Sequence, residues 1–147
     1  MSNLINYNSL FNNNNLILKE ILELNKITDS ISLTLTREEA IELINERNNI
    51  IKELGRVEVG KGVLGKIIYE FYDSPYIYKD NYVETLRELV YSFYLFQNEL
   101  SYTLTDEQIL KHMKDSFNNE CKGDFLILND KILYDLKNKV EDPKIDY

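Results

Sequence analysis

With 147 residues, 44% of them hydrophobic and 29% charged, the chain is long enough to bury a core of its own and too apolar to remain unfolded. A net charge of −8 argues against nucleic-acid phosphates and anionic membrane surfaces as partners, since both are met by Lys and Arg. One cysteine, Cys121, excludes an intrachain disulfide, and a single histidine, His112, leaves no spacing that zinc requires.

In chain order, residues 1–15 are Asn-rich, with a run from Asn12 to Asn15, and are expected to form a loose arm tacked down by Leu4, Phe11 and Leu16. This stretch has neither the basic nor the unbroken apolar region of a signal peptide, and no apolar run is long enough to span a bilayer, so a cytoplasmic protein is expected. A short helix follows in "LILKEILELN", with Ile17, Ile21 and Leu24 on one face. In "SISLTL" the apolar residues Ile31, Leu33 and Leu35 alternate, as in an extended segment or short strand.

The next helix carries a full set of signals. Thr36 and Glu39 form a capping box, the stripe Ala40, Leu43, Ile44, Ile51, Leu54 repeats at helical spacing, and Gly55 offers a left-handed stop. "RVEV" is a candidate strand that would pair with "SLTL" as a two-stranded ribbon. From Val63 a helix is predicted with Leu64, Ile67, Ile68 and Phe71 inward, ended by the Ser74-Pro75 step.

"NYVETLRELVYSFYLFQNEL" is the strongest helix, with Asn81 as the expected cap and Glu84 at the third position. Tyr82, Leu86, Leu89, Val90, Phe93 and Phe96 make one face, and Tyr91 and Leu95 add apolar surface opposite, so this helix should be central. Thr105 and Gln108 repeat the capping box, Gly123 breaks the chain, and a last helix over "DFLILNDKILYDLKNKV" is open to interruption at Asn129. Residues 142–147 are a polar tail. The expected fold is all-α or mostly α: a compact bundle of five to six helices over residues 16–141, with at most a small two-stranded β element.

Four of the five glycines fall within "GRVEVGKGVLG". From Gly55 this approaches a phosphate-binding G-x-x-x-x-G-K-[ST] loop, but Gly62 stands where a metal-binding hydroxyl belongs and Glu58 would repel phosphate. From Gly60 it is a formal G-x-G-x-x-G, but the parallel strands of a dinucleotide fold are missing. A helix stop at Gly55 and a turn at Gly60 and Gly62 account for most of it, and Gly65 suits close helix packing. An anion site at that helix start, helped by Lys61, is the functional alternative. Cys121 reads as a small packing residue and His112 as a solvated one, no carboxylates pair as an acid/base couple, and no cofactor is expected.

Arg47 lies inside the apolar stripe Ala40, Ile44, Ile51, Leu54 and must find a carboxylate there, with Glu70 or Asp73 as candidates, or else contact an anion or a partner. The stretch "FYDSPYIYKDNY", residues 71–82, holds five aromatic residues. Tyrosines at a helix corner can bury the ring and keep the hydroxyl wet, but they also suit interfaces. Tyr76 and Tyr78, with Asp73 and Arg47, are the candidate partner-binding residues.

The segments "GRVEVG", "FYDSPYI" and "YSFYLFQNEL", within residues 33–128, resemble a family from clostridia and relatives catalogued as a domain of unknown function, number 6323. The resemblance implies a soluble bacterial protein and brings no activity or catalytic residues with it. The function expected from the residues is a non-enzymatic protein-interaction module with a protein partner, without direct nucleic-acid or membrane binding. A second possibility is an acidic inhibitor that blocks a basic cleft or mimics nucleic acid, as phage-type antagonists do. A third is a small enzyme or ligand-binding protein with a pocket at Arg47.

Overall fold

A computed structural model describes residues 2–56, 58, 62–100 and 102–141, and side chains between 14 and 140. Among the described residues the fold is all-α, without strands. Helices α1 (Ser2–Thr28), α2 (Arg37–Glu53), α3 (Leu64–Phe71), α4 (Tyr82–Leu100) and α5 (Asp106–Asn118) are followed by a composite helix, α6. The last consists of a turn Phe125–Ile127, a π-helical turn Leu128–Ile132 and the segment Leu133–Glu141. Asn129, where an interruption was expected, sits inside the π turn. The polar tail 142–147 lies outside the described residues.

Helix α4 is the hub, in contact with α2, α3, α5 and α6. Leu86, Leu89, Val90, Phe93 and Phe96 are completely buried on it, each such side chain contributing about 1.5–3 kcal/mol. Phe71 of α3 meets Phe117 of α5 edge to face at 5.7 Å. Helix α1 packs on α2 and α3 through Ile17, Leu18 and Ile21. At Gly65 the close packing expected of that glycine is present, because a Cβ there would overlap Glu20 Oε1.

The α1 backbone is helical from Ser2 and takes in the Asn-rich stretch where an arm was expected. Once residues 16–28 are helical, each residue added upstream gains a hydrogen bond without a new nucleation cost. Both capping boxes form. Thr36 Oγ1 accepts from the Glu39 N–H at 3.1 Å, and Thr105 Oγ1 from the Gln108 N–H at 3.2 Å.

Among the described residues the extended segment after α1 makes no sheet. Leu33 and Leu35 are buried, as the alternation predicts, while Ile31 is exposed in a 3₁₀ turn, Asp29–Ile31. The Leu35 backbone finds its partner in one side chain: Asn25 Nδ2 donates to the Leu35 carbonyl at 2.9 Å, and the Leu35 N–H donates to Asn25 Oδ1 at 2.8 Å. These two hydrogen bonds satisfy the groups a neighbouring strand would otherwise engage. Val57 and Val59, from the other half of the expected ribbon, lie outside the described residues.

Gly55 stops α2 at φ +67° with open space around it, whereas at Gly123, with φ +83°, a Cβ would come within 2.9 Å of Tyr76 Cβ. Gly55→Ala is therefore expected to cost about 1–2 kcal/mol for the left-handed backbone alone. Gly123→Ala should cost clearly more, because the tyrosine Cβ cannot swing away. Urea denaturation of the two variants checks this, and equal losses would refute it.

Candidate functional site

Helix α2 places Arg47 on its apolar face, where the side chain is 5% exposed. Arg47 Nη1 donates to Glu58 Oε1 at 2.6 Å, and the other carboxylate oxygen, Oε2, accepts from the Tyr94 hydroxyl, also at 2.6 Å. This corrects the partners expected for Arg47. Glu70 and Asp73 instead stand 3.9 and 4.0 Å from Lys114 of α5, on the more exposed side of α3. The Gly55 stop turns the chain back past α2, so the first acid beyond it, Glu58, reaches the buried guanidinium.

Neighbouring bonds fasten the same segment. Arg56 donates to Gln97 Oε1 at 3.0 Å and to Asn98 Oδ1 at 3.2 Å, and Gln97 passes a bond on to Asp106 at 3.0 Å. Tyr94, Gln97 and Asn98 share one face of α4 because they are three and four residues apart. Burial, and then the Glu58 charge, push the Tyr94 hydroxyl far above its ordinary pKa, so it stays a donor. Gly62 takes a left-handed backbone, φ +70°, two residues before α3, and a Cβ on it would overlap Glu58 Oε1. Gly60 and Lys61 lie outside the described residues. Sequence reasoning misses Tyr94 and takes Glu58 only as an obstacle to phosphate. The available signal was a charge in an apolar stripe with a carboxylate just past the helix stop.

The aromatic stretch is a helix corner held by polar side chains. Buried Ser74 donates to Asn118 Oδ1 at 2.5 Å, and Ser74 Oγ accepts from the Tyr76 N–H at 3.3 Å. Tyr76 is half-buried, its ring edge-on to Phe117 at 6.4 Å, whereas Tyr78 is exposed. Asn81 was expected to cap α4. Its side chain reaches back instead, accepting from the Tyr78 N–H at 2.8 Å and donating to the Tyr76 carbonyl at 3.1 Å. Thus Asp73 and Tyr76 contact α5 while Arg47 contacts Glu58, and the four candidates do not share one set of partners.

Surface grooves among the described residues include the following three. One of about 560 Å³ between α2 and α4 is lined by Glu46, Asn49, Ile50, Glu84, Arg87, Glu88 and Tyr91. A second of about 420 Å³, among α1, α3 and α5, carries Leu24, Tyr69 and the pair Lys66–Glu107 at 2.6 Å. That hydrogen bond raises the Lys66 pKa and lowers that of Glu107, although both groups are too exposed for the pair to add much stability. A third, of about 370 Å³ beside α1, holds Lys19, Lys26 and Arg37. None of these three is lined by Arg47.

Cys121 is buried and its thiol is pushed up to about 11, first by burial and then by Glu120 and Asp124, while His112 is exposed. A protonated, covered thiol is a packing residue at neutral pH. Among the described residues no group of three or more His, Cys, Asp and Glu is placed to hold a metal ion, and no helix is long and apolar enough to cross a membrane.

The sequence model of a family of unknown function, DUF6323, matches residues 20–144, beyond both ends of the stretch that carried the resemblance. No curated protein and no solved structure matches the chain.

The buried acids of the core make the fold sensitive to alkali. An unfolded chain releases the Cys121 proton near its ordinary value of 9.0 and the Tyr82 proton near 10.0, whereas the folded chain holds them to about 11 and about 12, chiefly through burial. Stability from both groups is complete below pH 9 and is lost as pH rises through 9–11 for Cys121 and 10–12 for Tyr82. Denaturation between pH 8 and 12 is expected to show this decline, with a shallower loss above pH 10 in Tyr82→Phe. Identical pH dependence in the two proteins would contradict it.

Proposed function

We propose that this chain, which belongs to the DUF6323 family of unknown function, is a non-enzymatic, cytoplasmic protein-interaction module that takes a basic segment of a partner protein in the groove between α2 and α4. The observation that carries this is the groove's composition. Tyr91 presents a half-exposed ring beside partly buried Ile50, and around them stand Glu46, Glu84 and Glu88 with Arg87 as their counter-charge. Arg87 is itself engaged by Glu42 at 2.7 Å, so four glutamates meet one arginine.

A lysine or arginine on a partner would find carboxylates at the rim and an aromatic face for its stem and charge. Tyrosine suits such a contact because it offers a large surface at little entropic cost. Acidic rims steer a basic partner and speed its association more than they tighten the complex. Of the earlier candidates, Tyr78 and Asp73 are exposed at the α3–α4 corner and serve as secondary contacts, while Arg47 is committed to the interior.

The same acid excess supports the runner-up, an inhibitor that covers a basic cleft. Mimicry of a nucleic-acid backbone is less well supported, because Lys19, Lys26 and Arg37 interrupt the acidic surface beside α1. The two readings part on whether the captured partner loses an activity when bound.

The test is capture of partners from native cell extract by three tagged forms: wild type, a groove variant Tyr91→Ala/Glu88→Lys, and a corner variant Tyr76→Ala/Tyr78→Ala. A stoichiometric partner whose bound segment is rich in Lys or Arg should be kept by the corner variant. It should bind the groove variant at least about tenfold more weakly, as loss of one central aromatic contact implies. Undiminished binding by the groove variant would overturn the proposal.

A further inference from the structure

The groove between α2 and α4 is acidic, and an exposed ridge of the same chain is basic. We infer that the α1 ridge Asn15, Lys19, Leu22, Lys26 of one copy of this chain docks in the α2–α4 groove of a second copy, so that the protein pairs with itself head to tail. This rests on the reading of that groove as a receiver of basic segments and names an occupant for it.

Helical spacing builds the ridge. Its residues follow one another at intervals of four, three and four, so they share one face of α1. Lys19 and Lys26 are exposed, Leu22 lies half-buried between them, and Arg37 at the start of α2 stands beside them. Among the described residues none of these three cations has a carboxylate within ion-pairing distance. The acid on this side is Glu23, one turn from Lys19.

The groove repeats this pattern with the signs reversed. Ile50 and the Tyr91 ring are its apolar centre, Glu46, Glu84 and Glu88 stand around them, and Arg87 is the opposite charge. A helix ridge laid between two helices puts Leu22 on the apolar centre, while Lys19 and Lys26, about 10 Å apart along α1, extend their stems to acids on either side. Within one copy the two surfaces lie on opposite flanks of α2, one beside α1 and the other beside α4. A copy therefore cannot fill its own groove, but it can offer a ridge and receive one, which is a heterologous contact. Each copy carries −8, so overall repulsion keeps the pairing weak and the local charge match fixes its orientation.

The experiment is sedimentation equilibrium of the full chain at rising concentration and physiological salt. It compares wild type, a ridge variant Lys19→Gln/Lys26→Gln, a groove variant Glu84→Gln/Glu88→Gln and an equimolar mixture of the two variants. All four positions are exposed, so the variants are expected to fold. Wild type should gain average mass with concentration, and each variant alone should need at least about tenfold more protein to do so, as loss of two surface ion pairs implies. The mixture should recover association and stop at the dimer, because the ridge variant keeps an intact groove and the groove variant an intact ridge. Wild type that stays monomeric up to about 1 mM, a variant that associates as readily as wild type, or a mixture no more associated than its parts would overturn the inference. A monomeric wild type whose foreign basic partner is still lost in Tyr91→Ala/Glu88→Lys overturns self-pairing alone and leaves the groove reading in place.

Discussion

A guanidinium carried on the apolar face of α2 must be neutralised where it lies. Removing a charge from water costs several kcal/mol, and leaving it unpaired inside would cost the fold a large part of its stability. Much of the local architecture answers that demand. Helix α2 ends at a left-handed glycine, the chain turns back, and Glu58 delivers a carboxylate that Tyr94 holds from the other side. Gly62 leaves room for the carboxylate, and Arg56 ties the same segment to the next turn of α4. The joint between α2 and α3 is thus specified by polar contacts laid over an apolar hub.

What was legible in the sequence is what depends on neighbours three or four residues away. The two capping boxes, the apolar stripes of α2, α3 and α4, the helix stop at Gly55 and the break at Gly123 follow from local geometry and occur where predicted. The central place of α4 was legible from the width of its apolar surface. The Arg47 partner was not, because an ion pair with a loop residue depends on how the chain returns, and helix spacing carries no record of that. Asn81 shows the same limit: its side chain had two local outlets, the helix ahead and the corner behind, and in the fold it bonds the corner. Asn25 is a third case, since no pattern marks a side chain that takes over the hydrogen bonds of a strand.

For function, the structure separates residues that the sequence grouped together. Tyr76 helps build a corner and Arg47 an internal network, while the glutamates around Arg87 and the ring of Tyr91 shape a surface groove. Surface and interior also differ in how charge acts. In the groove the carboxylates are hydrated and their field is screened by salt; around Arg47 a few partly desolvated groups hold one carboxylate, that of Glu58, in place. Membership of DUF6323 adds no activity to this picture, so the chemistry of these two places is the firmest guide to what the protein does.

The central claim, that the buried pair organises the α2–α3 joint, is tested most directly by a double-mutant cycle on Arg47→Met and Glu58→Leu, with stability read by urea denaturation. The account predicts that each single change costs about 3–5 kcal/mol, because each strands one charge, and that the double variant is far less destabilised than the sum. Small single losses, below about 1 kcal/mol, or strict additivity would show that the pair is incidental to the fold.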